Sequence, residues 1–322
     1  MNDLNWFVTG GAGFIGSNFI KYIFETYPED VIICFDKLTY AGSMDNIKEY
    51  VNNPRFVFVR GDICSEVDIG RALSSYSVDF IVNFAAESHV DRSIYNSECF
   101  LETNVIGTNV LLEAAKKFGI SRFHQVSTDE VYGDLPLIES TSPFLEEDAL
   151  RPSSSYAVSK ASADMLVLSY KKTFHLPVTI SRCSNNFGPK QHFEKFIPMV
   201  IKKACLGEQI PVYGSGENIR DWIYVEDHCR AIDMIVRYGK AGSIYNVGAN
   251  NEISNNSIVE IILKILGKPK ALITYVSDRP GHDLKYSLNC QKIGQELMWK
   301  NNSNFLDRLK YTVHWYVENE FE

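Results

Sequence analysis

Short apolar runs alternate with longer segments of helical periodicity through the first half of the chain, and this alternation constrains the fold more than any other feature. The runs fall at residues 6–9, 31–35, 56–59, 80–83, 122–127 and 178–181. Strands separated by helix-length connections are the signature of βαβ units, in which a parallel sheet is covered by helices on both faces. The expected fold class is therefore α/β, a Rossmann-like doubly wound parallel sheet. Helices are expected over residues 14–26, 97–118 and 153–174, the last opened by Pro152 and a run of serines. After Ser181 the pattern becomes irregular, with turn-rich stretches at 184–189, 213–217 and 278–281 and shorter helices between them.

The loop Gly10-Gly11-Ala12-Gly13-Phe14-Ile15-Gly16 follows the first run and opens the first helix. Glycines there permit a tight turn and let backbone N–H groups and the helix N-terminus approach a pyrophosphate. Asp36 ends the second run, where its carboxylate can accept bonds from the adenosine ribose hydroxyls. An acid at that position repels a 2′-phosphate, so NAD is expected rather than NADP, despite the neighbouring Lys37. Asp62 and Ile63 follow the third run and either line the adenine or form a plain loop. Residues 1–182 are thus expected to form an NAD-binding Rossmann domain, with later segments returning to it. Residues 183–322 are expected to form a smaller, mixed α/β domain that binds substrate.

Tyr156 and Lys160 are spaced i, i+4 and share one face of the third expected helix. A nearby ammonium favours phenolate, and the positive ring of bound NAD adds to the effect, drawing a phenol from its usual pKa of about 10 toward neutrality. Such a group can take the proton from a sugar hydroxyl while the carbon's hydride leaves. Thr128, Asp129 and Glu130 follow the fifth run. Adjacent acids in a loop are usually solvated charge, but two carboxyls that repel each other can also divide general-acid and general-base work. Asn104 either orders this region or is a satisfied buried amide, and His89 either contacts a pyrophosphate or sugar or is a hydrogen-bonded structural histidine.

Composition narrows the remaining classes. A formal net charge of −8 with no long run of like charge argues against a nucleic-acid binder. The seven cysteines are scattered, odd in number and form no C-x-x-C pair, so neither a disulfide framework nor a metal site is expected. A cytoplasmic location follows, as does the absence of a membrane span; the first run starts too early for a signal peptide to precede it.

Taken together, residues 9–16, Tyr156-x-x-x-Lys160 and residues 220–228 (Arg-Asp-Trp-Ile-Tyr-Val-Glu-Asp-His) resemble the extended short-chain dehydrogenase/reductase family. Residues 36–42, 85–94, 127–133 and 278–283 resemble its nucleotide-sugar 4,6-dehydratase branch; related 4-epimerases usually carry Ser/Thr and small residues in place of Asp129 and Glu130. The resemblance implies a lyase that acts on dTDP-glucose, keeps NAD throughout turnover and works as a homodimer packed through the second and third expected helices. Catalytic roles fall on Thr128, Asp129, Glu130, Tyr156 and Lys160. Cofactor contacts fall on Gly10, Gly13, Phe14, Ile15, Gly16, Asp36, Lys37, Thr39, Asp62, Ile63, Ala85, Ala86 and Asn104, with Tyr156 and Lys160. Substrate contacts fall on Ser88, His89, Thr128, Asn185, Lys195, Arg220, Asn255, Arg279 and His282. The alternatives are a nucleotide-hexose 4-epimerase and a non-catalytic NAD-responsive binding protein. The chain departs from the family between Gly188-Pro189 and Glu194-Lys195, where it reads Lys-Gln-His-Phe and the family commonly places a proline just before Glu-Lys.

Overall fold

The computed structural model describes residues 3–138 and 141–321. From the N-terminus the elements are β1 (Asn5–Thr9), α1 (Phe14–Thr26), β2 (Val31–Asp36), β3 (Phe56–Arg60), α2 (Glu66–Ser75), β4 (Phe80–Asn83), α3 (Val90–Tyr95), α4 (Glu98–Leu101), α5 (Thr108–Phe118), β5 (Arg122–Thr128), α6 (Ser155–Phe174) and β6 (Val178–Cys183). The second half contributes β7 (Asn185–Phe187), α7 (Phe196–Leu206), β8 (Ile210–Tyr213), β9 (Ile219–Tyr224), α8 (Val225–Tyr238), β10 (Ile244–Val247), β11 (Glu252–Ser254), α9 (Asn255–Ile265), β12 (Ile273–Val276), α10 (Gln291–Leu297) and α11 (Phe305–Glu320).

The apolar runs become strands of one parallel sheet in the order β10-β6-β5-β4-β1-β2-β3. Because side chains alternate across a strand, Trp6 and Val8 enter one core while Phe7 enters the other. On the first face, Phe19, Ile20 and Ile23 of α1 and Ile232 and Val236 of α8 cover the strands. Ile69 and Leu73 of α2, Leu111 and Leu112 of α5 and Val167 of α6 cover the second. Each such side chain, once fully buried, contributes about 1.5–3 kcal/mol. The first core runs on without a break into Val200, Ile201, Ile258, Ile262, Leu309 and Val313, so the C-terminal half packs on the sheet through shared apolar contacts.

Three local features differ from the sequence expectation. The segment 97–118 is not one regular helix: α4 and α5 flank a π-helical turn at Glu102–Gly107. The wider turn accompanies an inward Asn104, whose amide accepts from the Glu87 N–H (2.9 Å) and donates to the Glu87 carbonyl (3.0 Å) and to Ser159 Oγ (2.8 Å). The turn-rich stretch after residue 184 contains β7, which pairs with β9, itself paired with β11 in a separate three-stranded sheet. A seventh strand, β10, comes from the irregular half and pairs with β6. Its four residues are too few to stand out from a loop in the sequence; the open edge of β6 and the packing of Tyr245 and Val247 with Ile235, Ile293 and Leu297 select them.

The glycine loop forms the close turn expected. Gly10 has φ of 66°, and a Cβ there would lie 2.7 Å from the Ala85 nitrogen. A Cβ on Gly16 would lie 2.3 Å from the Gly10 carbonyl oxygen, so helix α1 can start against the loop only without side chains at these positions.

Candidate active site

In the sheet, β1 lies between β2 on one side and β4 on the other, and the loops leaving these strands diverge at their C-terminal ends. A crevice at such a switch point is where open α/β sheets bind ligands. Gly10, Gly13, Phe14, Ile15 and Gly16 line the cavity there, followed by Asp36, Lys37, Thr39, Asp62, Ile63, Ala85, Ala86 and Ser88. Its other end is lined by Thr128, Asp129, Glu130, Tyr156, Lys160, Asn185 and Lys195.

The first end fits a dinucleotide. Asp36 accepts from the Ala12 N–H at 2.9 Å and from the Leu38 N–H at 2.8 Å, which fixes the carboxylate on the wall with lone pairs to spare. Lys37 sits 2.6 Å from Asp62, and that bond holds its ammonium above its ordinary pKa. A cation already paired in this way offers little to a 2′-phosphate.

At the other end β5 stops at Thr128, and Asp129–Tyr132 form one 3-10 turn. Thr128 Oγ1 accepts from the Glu130 N–H and donates to Asp129 Oδ1, both at 3.2 Å. Asp129 is 3% exposed, and its Oδ2 has no partner among the described residues. Burial first, and then the Glu130 charge, push the Asp129 carboxyl well above its usual range, against the opposing pull of Arg220 and the Thr128 bond. Burial also raises Glu130, but three cations, Arg279, Arg220 and Lys195, pull against it. The two adjacent acids thus stand in different fields, and the proton of the pair favours Asp129.

The Tyr156–Lys160 pair requires a correction to the expected electrostatics. The Lys160 ammonium donates to the Val126 carbonyl at 2.7 Å, and burial lowers its pKa while Asp164 opposes that shift. Burial, followed by Glu130, Cys183 and Asp129, holds the Tyr156 phenol well above its ordinary value. Sequence spacing alone did not reveal that the phenol is enclosed, with the carboxyl groups of Glu130 and Asp129 sharing its cavity.

The structure does not bring every expected residue to the cavity wall. Asn104 lies behind it in the π turn, and His89 precedes α3 with Nε2 3.8 Å from Glu194. Arg220 spans the carbonyls of Asp283 (2.8 Å) and Leu284 (3.3 Å) and lies over the Tyr286 ring. Arg279 is 3.3 Å from Asp91, and His282 is 2.6 Å from Asp278. Asn255 opens α9, its N–H bonded to the Asn218 carbonyl at 3.0 Å. Conversely, Cys183, Asn186, Gln191 and Glu194 line the cavity and were not singled out by the sequence. Both carboxyl oxygens of Glu194 are buried without a hydrogen-bond partner among the described residues. Its place in the Glu-Lys pair was the available signal; nothing distinguished Cys183 from the other six cysteines.

A parallel Rossmann sheet, a glycine loop closed by an acid on β2, a Tyr-x-x-x-Lys helix and a C-terminal lobe over the crevice define an extended short-chain dehydrogenase/reductase. More narrowly, the chain belongs to the GDP-mannose 4,6 dehydratase family, whose model matches residues 7–312. It is 45% identical to a dTDP-glucose 4,6-dehydratase of Escherichia coli, across 97% of this chain and 93% of that protein. A dTDP-glucose 4,6-dehydratase from Streptomyces venezuelae, crystallised with NAD, superposes with a TM-score of 0.95 at 44% identity, covering 98% of each chain. A UDP-glucose 4-epimerase from Thermotoga maritima shares the fold at a TM-score of 0.90 but only 28% identity, covering 98% of this chain and 99% of that one.

Proposed function

We propose that the chain is an NAD-dependent dTDP-glucose 4,6-dehydratase, a hydro-lyase that forms dTDP-4-dehydro-6-deoxy-glucose for deoxysugar synthesis. The observation that carries this reading is the Asp129–Glu130 pair, two carboxyls of unlike environment in one cavity with Tyr156. A 4-epimerase has no need of an acid and a base at adjoining carbons.

In this reading Tyr156 Oη takes the proton of the C4 hydroxyl, and Thr128 Oγ1 donates to the C4 oxygen. NAD, which the glycine loop and Asp36 would hold, would supply the acceptor for the C4 hydride and its donor to C6, and a positive charge beside the Tyr156 phenol. Once C4 is a ketone the C5 proton is acidic, and Glu130 removes it. Asp129, the protonated partner, gives its proton to the departing C6 hydroxyl, so one water is lost and a C5–C6 double bond forms; hydride return to C6 is then matched by Glu130 giving its proton back to C5, so that C4 ends oxidised and C6 reduced. Lys195, which donates to the Ser88 carbonyl at 2.6 Å, and Arg220 and Arg279 supply the positive field for a diphosphate as well as for Glu130. The remaining cofactor and substrate residues keep the roles that the family resemblance implies.

A homodimer is also proposed. Leu101 and Ile106 on the α4 to π-turn segment are 46% and 55% exposed, and Val158 and Met165 on α6 are 43% and 57% exposed, an apolar surface that a second copy would cover. All seven cysteines are free, which suits a reducing cytoplasm, and among the described residues no helix is long and apolar enough to cross a membrane.

The test is incubation with dTDP-, UDP-, CDP- and GDP-glucose, followed by mass spectrometry. Loss of one water from dTDP-glucose with no net reduction of NAD is expected. An unchanged mass with inverted C4 would establish an epimerase instead.

A further inference from the structure

The Lys190-Gln191-His192-Phe193 stretch, where this chain leaves the family pattern, reaches from the C-terminal lobe to the wall that follows Asp36. Asn18 of α1 donates to the Pro189 carbonyl at 3.0 Å, and Tyr316 of α11 donates to the Gln191 carbonyl, so the stretch is held from behind. Lys190 adopts φ of 71°, and its side chain, only 16% exposed, crosses to the nucleotide side. Its ammonium donates to the Asn46 carbonyl at 2.7 Å and pairs with Glu49 at 3.2 Å. Asn46 in turn donates its amide to the Ala12 carbonyl of the glycine loop at 2.8 Å. Two residues on, the His192 ring meets the Tyr40 ring edge-on at 5.7 Å, with the Arg92 guanidinium 3.8 Å from the centre of that same ring. The segment tied at Tyr40 and again at Asn46 contributes Lys37, Thr39, Ala41 and Gly42 to the cavity.

We propose that residues 190–192 form a clasp that holds segment 37–46 closed over the dinucleotide, and that Lys190 is the positioning residue setting how slowly the dinucleotide leaves. This rests on the reading that the cavity binds NAD. On this proposal a dinucleotide lying between the glycine loop and segment 37–42 departs as that segment swings outward. The Lys190 ammonium anchors its far end from the opposite lobe through a charge-assisted bond that is largely sheltered from salt. Slow release suits a reaction in which the cofactor is regenerated within each turnover.

The experiment loads the full-length protein with labelled NAD and follows its release into excess unlabelled NAD. Lys190→Met keeps the aliphatic stem and removes the charge, and it should release NAD about tenfold faster, as for loss of a charge-assisted hydrogen bond. Lys190→Arg, which can still reach both acceptors, should restore slow release. Glu49→Gln should stay close to the parent because the Asn46 carbonyl remains. Release from Lys190→Met at the parental rate, or no recovery in Lys190→Arg, overturns the clasp alone. A parent protein that binds no NAD overturns the functional reading and the clasp with it.

Discussion

Replacing Glu130 with glutamine isolates the proposed base, because the substitution keeps the side chain's shape and leaves the backbone N–H bonded to Thr128 Oγ1. Glu130 sits in a cavity where burial raises its pKa above the ordinary carboxyl value of about 4.3, while Arg279, Arg220 and Lys195 limit that rise. Loss of a positioned general base costs about 10²- to 10⁴-fold in the step it serves. At 1.36 kcal/mol per factor of ten, that is about 3–5 kcal/mol of barrier. The C4 oxidation draws on Tyr156 and is spared, so Glu130→Gln should accumulate a 4-keto hexose that still carries its C6 hydroxyl, together with reduced nicotinamide. Stopped-flow absorbance would follow the latter, and mass spectrometry of quenched samples the former. The pH profile supplies an independent reading. In the parent, kcat/KM should fall as pH drops through the raised Glu130 pKa, because the carboxylate form is the base; in Glu130→Gln that acid limb should vanish. Dehydration by Glu130→Gln at the parental rate, or an acid limb left in place, would refute the assignment.

Tyr156→Phe should block the initial oxidation, giving neither reduced nicotinamide nor water loss on mixing with substrate, while calorimetry still detects NAD binding through the distant Asp36 end. Far from the cavity, Arg237 is bonded to Asp233 (2.7 Å) and to Asp30, with the Tyr27 ring 3.7 Å from its guanidinium carbon. Arg237→Met leaves two buried carboxylates uncompensated and should lower unfolding stability by about 3–5 kcal/mol in denaturant titrations. His124, bonded to Thr179 (2.9 Å) and Ser181 (3.0 Å), and His228, bonded to Asn186 (2.9 Å), are fully buried, and burial draws both pKa values down to about 3. Their unfolded pKa is near 6.5, so the unfolded chain takes up protons first and stability is lost as pH falls from there toward 3. Moving from about pH 7.5 to about pH 5.5 should cost about 1.4 kcal/mol for each histidine, and His124→Asn should reduce the slope measured by denaturant titration at the two pH values.

The sheet and the cofactor end of the cavity were legible in the sequence because both are encoded locally. A buried parallel strand needs a continuous apolar run, and the turn from β1 into α1 needs glycines wherever a Cβ would strike the Gly10 carbonyl or the Ala85 nitrogen. Asp36 follows from the same logic, since the end of β2 is fixed once β1 is placed. Spacing likewise put Tyr156 and Lys160 on one helical face, and adjacency put Asp129 beside Glu130. The family pattern added the distant basic residues.

What local sequence does not carry is the environment of a charge, which is a sum over groups brought together from the whole chain. Only the folded cavity sets Glu130 among Arg279, Arg220 and Lys195 while giving Asp129 Arg220 alone against the charges of Glu130 and Asp221, and that difference favours the proton on Asp129. The same holds for Tyr156, whose phenol is held up by burial first and then by the Glu130 charge. It holds for β10, a short run chosen by the open edge of β6, and for Lys190, whose partners Asn46 and Glu49 lie at the other end of the sheet's connectivity. Local sequence dictates which residues are available and how neighbours along a helix or strand face one another. Tertiary structure decided which charges are desolvated together, because the dielectric and the partners of a buried group are properties of the assembled core.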